Sequence, residues 1–180
     1  MSGIVNTPGY YYSIAYILAA FIVTCTNRKR VTGWKRYLTH FIFFAALICF
    51  MWMTDGVRQV LFLPAMTVSI TLIMLYLYVS CEFTVSEAGY YCARAFITGE
   101  FAASLCWQIY FYTRGSIQDG HDSLWKWGEL IGVYGIIFLV IWLIERGLQK
   151  DVVNVRINRR ELMTVIVITI AVFAVSNMSY

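Results

Sequence analysis

Ionised side chains are scarce in this chain, 13% of its 180 residues against 60% hydrophobic ones. So little charge cannot coat a water-soluble domain, and the composition predicts an integral membrane protein instead. Metal-binding patterns are missing as well. The two histidines, His40 and His121, have no second His, Cys or acidic residue at ligand spacing, so no metal site is expected. The five cysteines, Cys25, Cys49, Cys81, Cys92 and Cys106, lie within or at the ends of apolar runs with no CxxC pattern. They read as packing thiols, not as redox or metal ligands. No GxSxG, HExxH, P-loop, glycine-rich nucleotide motif or paired catalytic carboxylates occur. The expectation is a chain that is not itself an enzyme and uses no cofactor. The N-terminal MSGIVNTPGYYY lacks a basic segment and no small-residue cleavage motif follows the first apolar run, so no cleavable signal peptide is expected. No repeat, low-complexity tract or Gly/Ser linker divides the chain, which predicts one domain.

What the sequence does contain is six apolar runs, at residues 10–26, 37–53, 59–81, 90–112, 129–144 and 162–176. At about 1.5 Å per helical residue, runs of this kind suit a hydrocarbon core. The predicted fold is all-α, a polytopic membrane helix bundle with six transmembrane helices. Pro64 falls near the start of the third run, so the regular helix there is expected to begin a few residues after Gln59. Residues 113–128 read as a loop, and residues 145–161 as a charged segment forming a short helix along the membrane surface.

The net charge of +4 does not imply a nucleic-acid partner, because the basic residues concentrate in loops. Arg28, Lys29, Arg30, Lys35 and Arg36 follow the first run, and Arg146, Lys150, Arg156, Arg159 and Arg160 follow the fifth. Ten of the fourteen Lys and Arg residues thus lie in two loops that six antiparallel spans put on one side. The positive-inside rule makes that side the cytoplasm and the N-terminus extracellular. The lipid bilayer is the partner this pattern demands.

The fourth run is where the unusual residues are. It carries Arg94 near one end and Glu100 near its middle, where a carboxyl facing lipid would cost several kcal/mol. Ala95, Gly99 and Ala103 form a small-residue strip that admits a second helix closely. Glu100 shares a face with Ser104 and Trp107, so those two line its path outward. Either Glu100 binds something, or it is hydrogen-bonded by a Ser or Thr of spans two or three, for instance Ser69 or Thr71. Arg94, about 9 Å along the axis and on another face, is not expected to pair with Glu100 and instead snorkels to the cytoplasmic interface.

At the outer face, Tyr10, Tyr11, Tyr12, Trp52, Trp107, Tyr110, Tyr112, Trp125 and Trp127 form either an interface belt or an aromatic cavity for an apolar or cationic ligand. Asp55 and Arg58 either pair locally or grip a ligand's charged ends. The candidate ligand-binding set for a small molecule or peptide is Glu100, Ser104, Trp107, Gln108, Trp52, Asp55, Arg58 and Trp125.

The string ARAFITGEFAASLCWQIYFY at residues 93–112, and the AVFAVSNMSY that ends the sequence, resemble segments of the N-terminal membrane sensor domain of bacterial sensor histidine kinases with a GHKL-type ATPase domain. The resemblance implies a sensor or receptor module for an extracellular or membrane-borne signal, acting as a homodimer or through a cytoplasmic signalling partner. The position of Cys106 is often acidic in that pattern, so ligand chemistry does not carry over there. The chain has no dimerisation helix with a phosphoacceptor histidine and no ATP-binding domain, so the resemblance concerns the sensor module alone. Six spans leave Tyr180 outside, hence the expectation of a seventh span after it or from a partner, with spans four to six as the moving wall. In length and six-span plan the chain also resembles the substrate-binding subunit of energy-coupling-factor transporters, but those keep both termini in the cytoplasm, against the charge distribution here.

Overall fold

A computed structural model describes residues 7–54, 59–114, 122–151 and 159–178. Its elements are α1 (Gly9–Thr26), α2 (Trp34–Met53), α3 (Gln59–Ser80), α4 (Val85–Arg114), α5 (Asp122–Asp151) and α6 (Arg159–Met178). The fold is all-α. Among the described residues the only extended pairing is one isolated bridge between Lys29 and Cys81. Among the described residues three segments are long and apolar enough to cross a membrane: Gly9–Thr26, Trp34–Met53 and Trp127–Gly147. The apolar part of α3, Pro64–Ser80, is shorter. α4 has length to spare, 30 residues or about 45 Å, but its charged and polar residues, Glu100 and Gln108 among them, keep its hydropathy below that of the three segments.

The helices depart from the expected runs in ways local chemistry explains. α4 begins at Val85, five residues early, because Thr84 and Glu87 form a capping box. The Thr84 backbone N–H and hydroxyl both donate to Glu87 Oε2, at 2.8 and 2.9 Å, and the Glu87 N–H returns to Thr84 Oγ1 at 3.4 Å. Two of the orphan donors at the helix start are thereby satisfied. α5 is longer than its apolar core at both ends: it starts at Asp122, inside the expected loop, and continues as one helix to Asp151, where a separate surface helix was expected. α3 is already helical at Gln59 with Pro64 inside it, so the proline sits within the helix instead of opening it. Gly33, at φ 64°, lets the chain turn into α2 through a left-handed conformation that other residues adopt at a cost.

α4 packs against α1, α3, α5 and α6, while α1 packs against α2, α3, α4 and α5; α2 does not touch α4. The α1–α4 pair is therefore the centre of the arrangement. One end of it is tied by the Lys29–Cys81 bridge, in which Arg30 N–H donates to the Ser80 carbonyl (3.0 Å) and Glu82 N–H to the Arg28 carbonyl (3.1 Å). Arg30 Nη2 adds a bond to the Phe83 carbonyl at 3.1 Å. The opposite end holds aromatic contacts between Tyr11 and Trp107 and between Tyr10 and Trp127. The basic segment after α1 and the connection from α3 to α4 thus lie together, at the end away from the aromatic cluster.

Candidate site at the seam between α1 and α4

The small-residue strip of α4 is covered by α1. A methyl group built on Gly99 would collide with the Tyr16 ring and lie 3.3 Å from the Tyr16 backbone nitrogen, so glycine at this position is what admits α1. Ala95 and Ala103 are buried in the same helix, and Ala15 and Ala19, beside Tyr16, are buried on α1. Phe96 stacks on the Tyr16 ring at 5.2 Å and 14°. Within this contact the Tyr16 hydroxyl donates to Glu100 Oε1. Both residues are enclosed, Tyr16 at 0% and Glu100 at 4% exposure. The carboxyl is thus compensated from α1, and not from Ser69 or Thr71. Ser69 instead bonds Met51 Sδ (3.2 Å) and the Ala65 carbonyl (3.2 Å), and Thr71 is exposed and bonds the Thr67 carbonyl.

Arg94 does not end at the interface alone. Its guanidinium forms an ion pair with Glu145 of α5, and it lies over the rings of Tyr90 and Tyr91. Snorkelling is corrected to pairing because α5 continues past its apolar core and brings Glu145 beside α4. The sequence offered no signal for a partner 51 residues away.

A second polar cluster lies nearer the basic end. Arg36 Nε donates to His40 Nε2 at 3.1 Å, and since a guanidinium can only donate, His40 carries its proton on Nδ1. That nitrogen is 2.7 Å from the Tyr76 hydroxyl. Tyr76 in turn lies 3.4 Å from Thr24 Oγ1, which donates to the Phe21 carbonyl at 2.8 Å. The direction of every bond follows, from Arg36 through His40, Tyr76 and Thr24 into the backbone of α1. This chain links α1, α2 and α3 as Glu100 links α1 and α4. Between the two clusters a small, partly open apolar cleft has Tyr16 and Tyr76 in its wall.

The sequence-derived ligand candidates do not all meet. Glu100 and Trp107 are buried on α4, Ser104 is half-buried there, and Gln108 is exposed. Trp107 packs edge-on against Tyr11 at 5.2 Å and stacks with Tyr110. Trp52 is 79% exposed at the end of α2, a helix with no contact to α4, so it does not join Trp107 in one pocket. Asp55, Arg58 and the side chain of Trp125 lie outside the described residues. Of the aromatics expected at the outer face, Tyr10, Tyr11, Trp107, Tyr110 and Trp127 form one packed cluster. Tyr134 of α5 joins it by donating its hydroxyl to the Tyr11 carbonyl at 2.8 Å. Glu129 Oε1 accepts from Thr113 at 2.9 Å at the same end. Among the described residues no three His, Cys, Asp or Glu side chains come close enough to hold a metal ion.

Sequence reasoning missed Tyr16, Tyr76 and Glu145. The tyrosines sit in uncharged apolar runs and look like the many others in the chain. No family model, curated protein or solved structure matches the chain.

Proposed function

We propose that the chain is a six-span membrane bundle that works as a sensor or receptor module, with α1 and α4 as its signal-bearing pair. Helices α3, α4 and α6, with 22, 30 and 20 residues, are each long enough to cross a hydrocarbon core of about 30 Å. The N-terminus and the Tyr10–Trp107 cluster face outward, and the basic segments at 28–36 and 146–160 face the cytoplasm. The single observation that carries the reading is the Tyr16–Glu100 hydrogen bond. It places a polar link, which lipid cannot replace, between the two helices that touch most of the others. A ligand shifts such a pair only through its different affinity for two arrangements. The outer aromatic cluster lies on the same two helices, Tyr11 on α1 and Trp107 on α4, where occupancy would bias them. The resemblance of residues 93–112 to kinase sensor domains supports the same reading. Output then passes to a cytoplasmic signalling partner, since the chain carries no catalytic motif.

A thermal-shift screen of apolar and cationic small molecules on protein in nanodiscs tests this. A ligand is expected that raises Tm for the wild type and for Trp52→Ala but not for Trp107→Ala. Accumulation of that ligand by cells expressing the chain would instead make it a transporter component. Orientation is checked separately: a cysteine at Ser116 should react with an impermeant thiol reagent in intact cells, and one at Thr32 should not.

A further inference from the structure

The hydrogen-bond chain at the basic end of the bundle starts on one bare nitrogen. His40 Nε2 accepts from Arg36 Nε at 3.1 Å, and because a guanidinium has donors alone, Nε2 has to keep its lone pair. The ring then carries its single proton on Nδ1, toward the Tyr76 hydroxyl at 2.7 Å. Arg36 also reaches α1, with Nη2 lying 3.9 Å from Cys25 Sγ. One side chain in the first turn of α2 thus joins His40 to the end of α1.

The surroundings of His40 give Arg36 no second acceptor there. The ring is 9% exposed and is walled by Phe21, Phe44 and Tyr76, with centroids 5.6, 5.8 and 5.6 Å away. Among the described residues α2 packs against α1 and α3 alone. From α3 the titratable neighbour is Tyr76, and from α1 it is Cys25, behind Arg36. The charges that act on the ring are those of Arg36 and Lys29, both positive. Arg94–Glu145 is the ion pair that forms among the described residues, so no carboxylate there offsets these two cations.

We infer that the Arg36–His40 contact is a proton-operated latch, and that uptake of one proton on His40 Nε2 releases Arg36 and loosens the basic end of α2 from α1. With Nε2 protonated, donor faces donor and cation faces cation at 3.1 Å, and the contact has to open. The Nδ1–H bond to Tyr76 survives, so the change is confined to Arg36 and the end of α1 that it reaches. α2 is the helix suited to respond, since 17% of it is buried against 56% of α1. The sign follows from linkage: the unfolded chain takes the proton freely, so the stability this contact supplies is full above the ordinary histidine range and is lost as pH falls through it. In the orientation proposed above this end faces the cytoplasm, which decides the side whose pH is read and nothing else about the latch.

Nuclear magnetic resonance of the full chain in nanodiscs, isotope-labelled at histidine and arginine and carrying His121→Gln so that His40 alone gives imidazole signals, tests it. At about pH 7.5 the ring is expected as the Nδ1–H tautomer; on acidification to about pH 5, across the ordinary histidine range, Nε2 gains a proton and the Arg36 Nε–H signal moves with the same midpoint. An Nε2–H tautomer at the higher pH, a ring that stays neutral throughout, or an Arg36 signal that does not follow the ring would each overturn the latch. Thermal unfolding supplies a second readout. Over the same acidification Tm is expected to fall about 2–4 °C further in the wild type than in His40→Gln, whose side-chain amide oxygen accepts from Arg36 at either pH. An equal fall in the two proteins would contradict the proposal.

Discussion

α1 and α2 are nearly alike in sequence terms and opposite in position. Both are apolar helices of membrane length, with mean hydropathies of 1.4 and 1.5, yet 56% of the α1 window is buried inside the protein against 17% for α2. The difference lies in side-chain size and in one hydroxyl. α1 offers Gly9, Ser13, Ala15, Ala19 and Ala20 to its neighbours, all of them buried, and Tyr16 to Glu100. α2 presents Trp34, Tyr37, Phe41, Ile42, Ile48 and Trp52 outward. In a bilayer, lipid tails are as apolar as leucine, so hydropathy does not draw helices together. Close packing of small residues and polar links do. Composition makes both helices long and apolar enough to cross a membrane, and only these finer features decide which of them is interior.

The comparison breaks first at Gly99. Gly99→Leu drives a side chain into Tyr16 and is expected to cost at least the ~1–3 kcal/mol typical of an overpacked interior. Thermal unfolding in nanodiscs should show a large drop or no folded protein. Gly132→Ala and Gly135→Ala on α5, where an added methyl meets nothing within 4 Å, should be neutral or gain up to ~1 kcal/mol of helix propensity. Next comes Glu100→Leu, which strands the Tyr16 hydroxyl and is expected to cost about 1–3 kcal/mol. Glu100→Gln keeps an acceptor and should lose clearly less in the same assay. Third is the Arg94–Glu145 pair, whose side chains are 33% and 11% exposed. Arg94→Gln should cost about 1 kcal/mol, near the upper end for partly solvated pairs, and adding Glu145→Gln should add little further loss. The smallest effect belongs to the outer face of α2: Phe41→Leu should shift stability by no more than ~0.5 kcal/mol.

Much of this plan is visible in the sequence, and the rest is hidden for definite reasons. The helices follow from hydropathy. The central place of α4 follows from Glu100 and from the Ala95, Gly99, Ala103 strip, since each needs a close neighbour. The capping box at Thr84 and Glu87, a T-x-x-E pattern, was a readable signal for an earlier helix start. The identity of the neighbour is not readable, because α1 is apolar all round and Tyr16 differs from its other tyrosines only in what it faces. The Arg94–Glu145 pair is invisible for a related reason. Which acidic residue meets a helix end depends on how far α5 extends, and apolar composition does not set that length. Trp52 and Trp107 both fall at the ends of their runs that lie away from the basic segments. Two residues at one depth need not be neighbours when their helices do not touch.

The Tyr16–Glu100 bond is the polar link of the α1–α4 seam. A double-mutant cycle of Tyr16→Phe and Glu100→Leu, with unfolding free energies measured in lipid, tests it most directly. Coupling of about 1 kcal/mol or more is expected, toward the upper range for interhelical hydrogen bonds in membranes, with the double variant recovering part of the loss in Glu100→Leu. Additive losses within ~0.3 kcal/mol would contradict it.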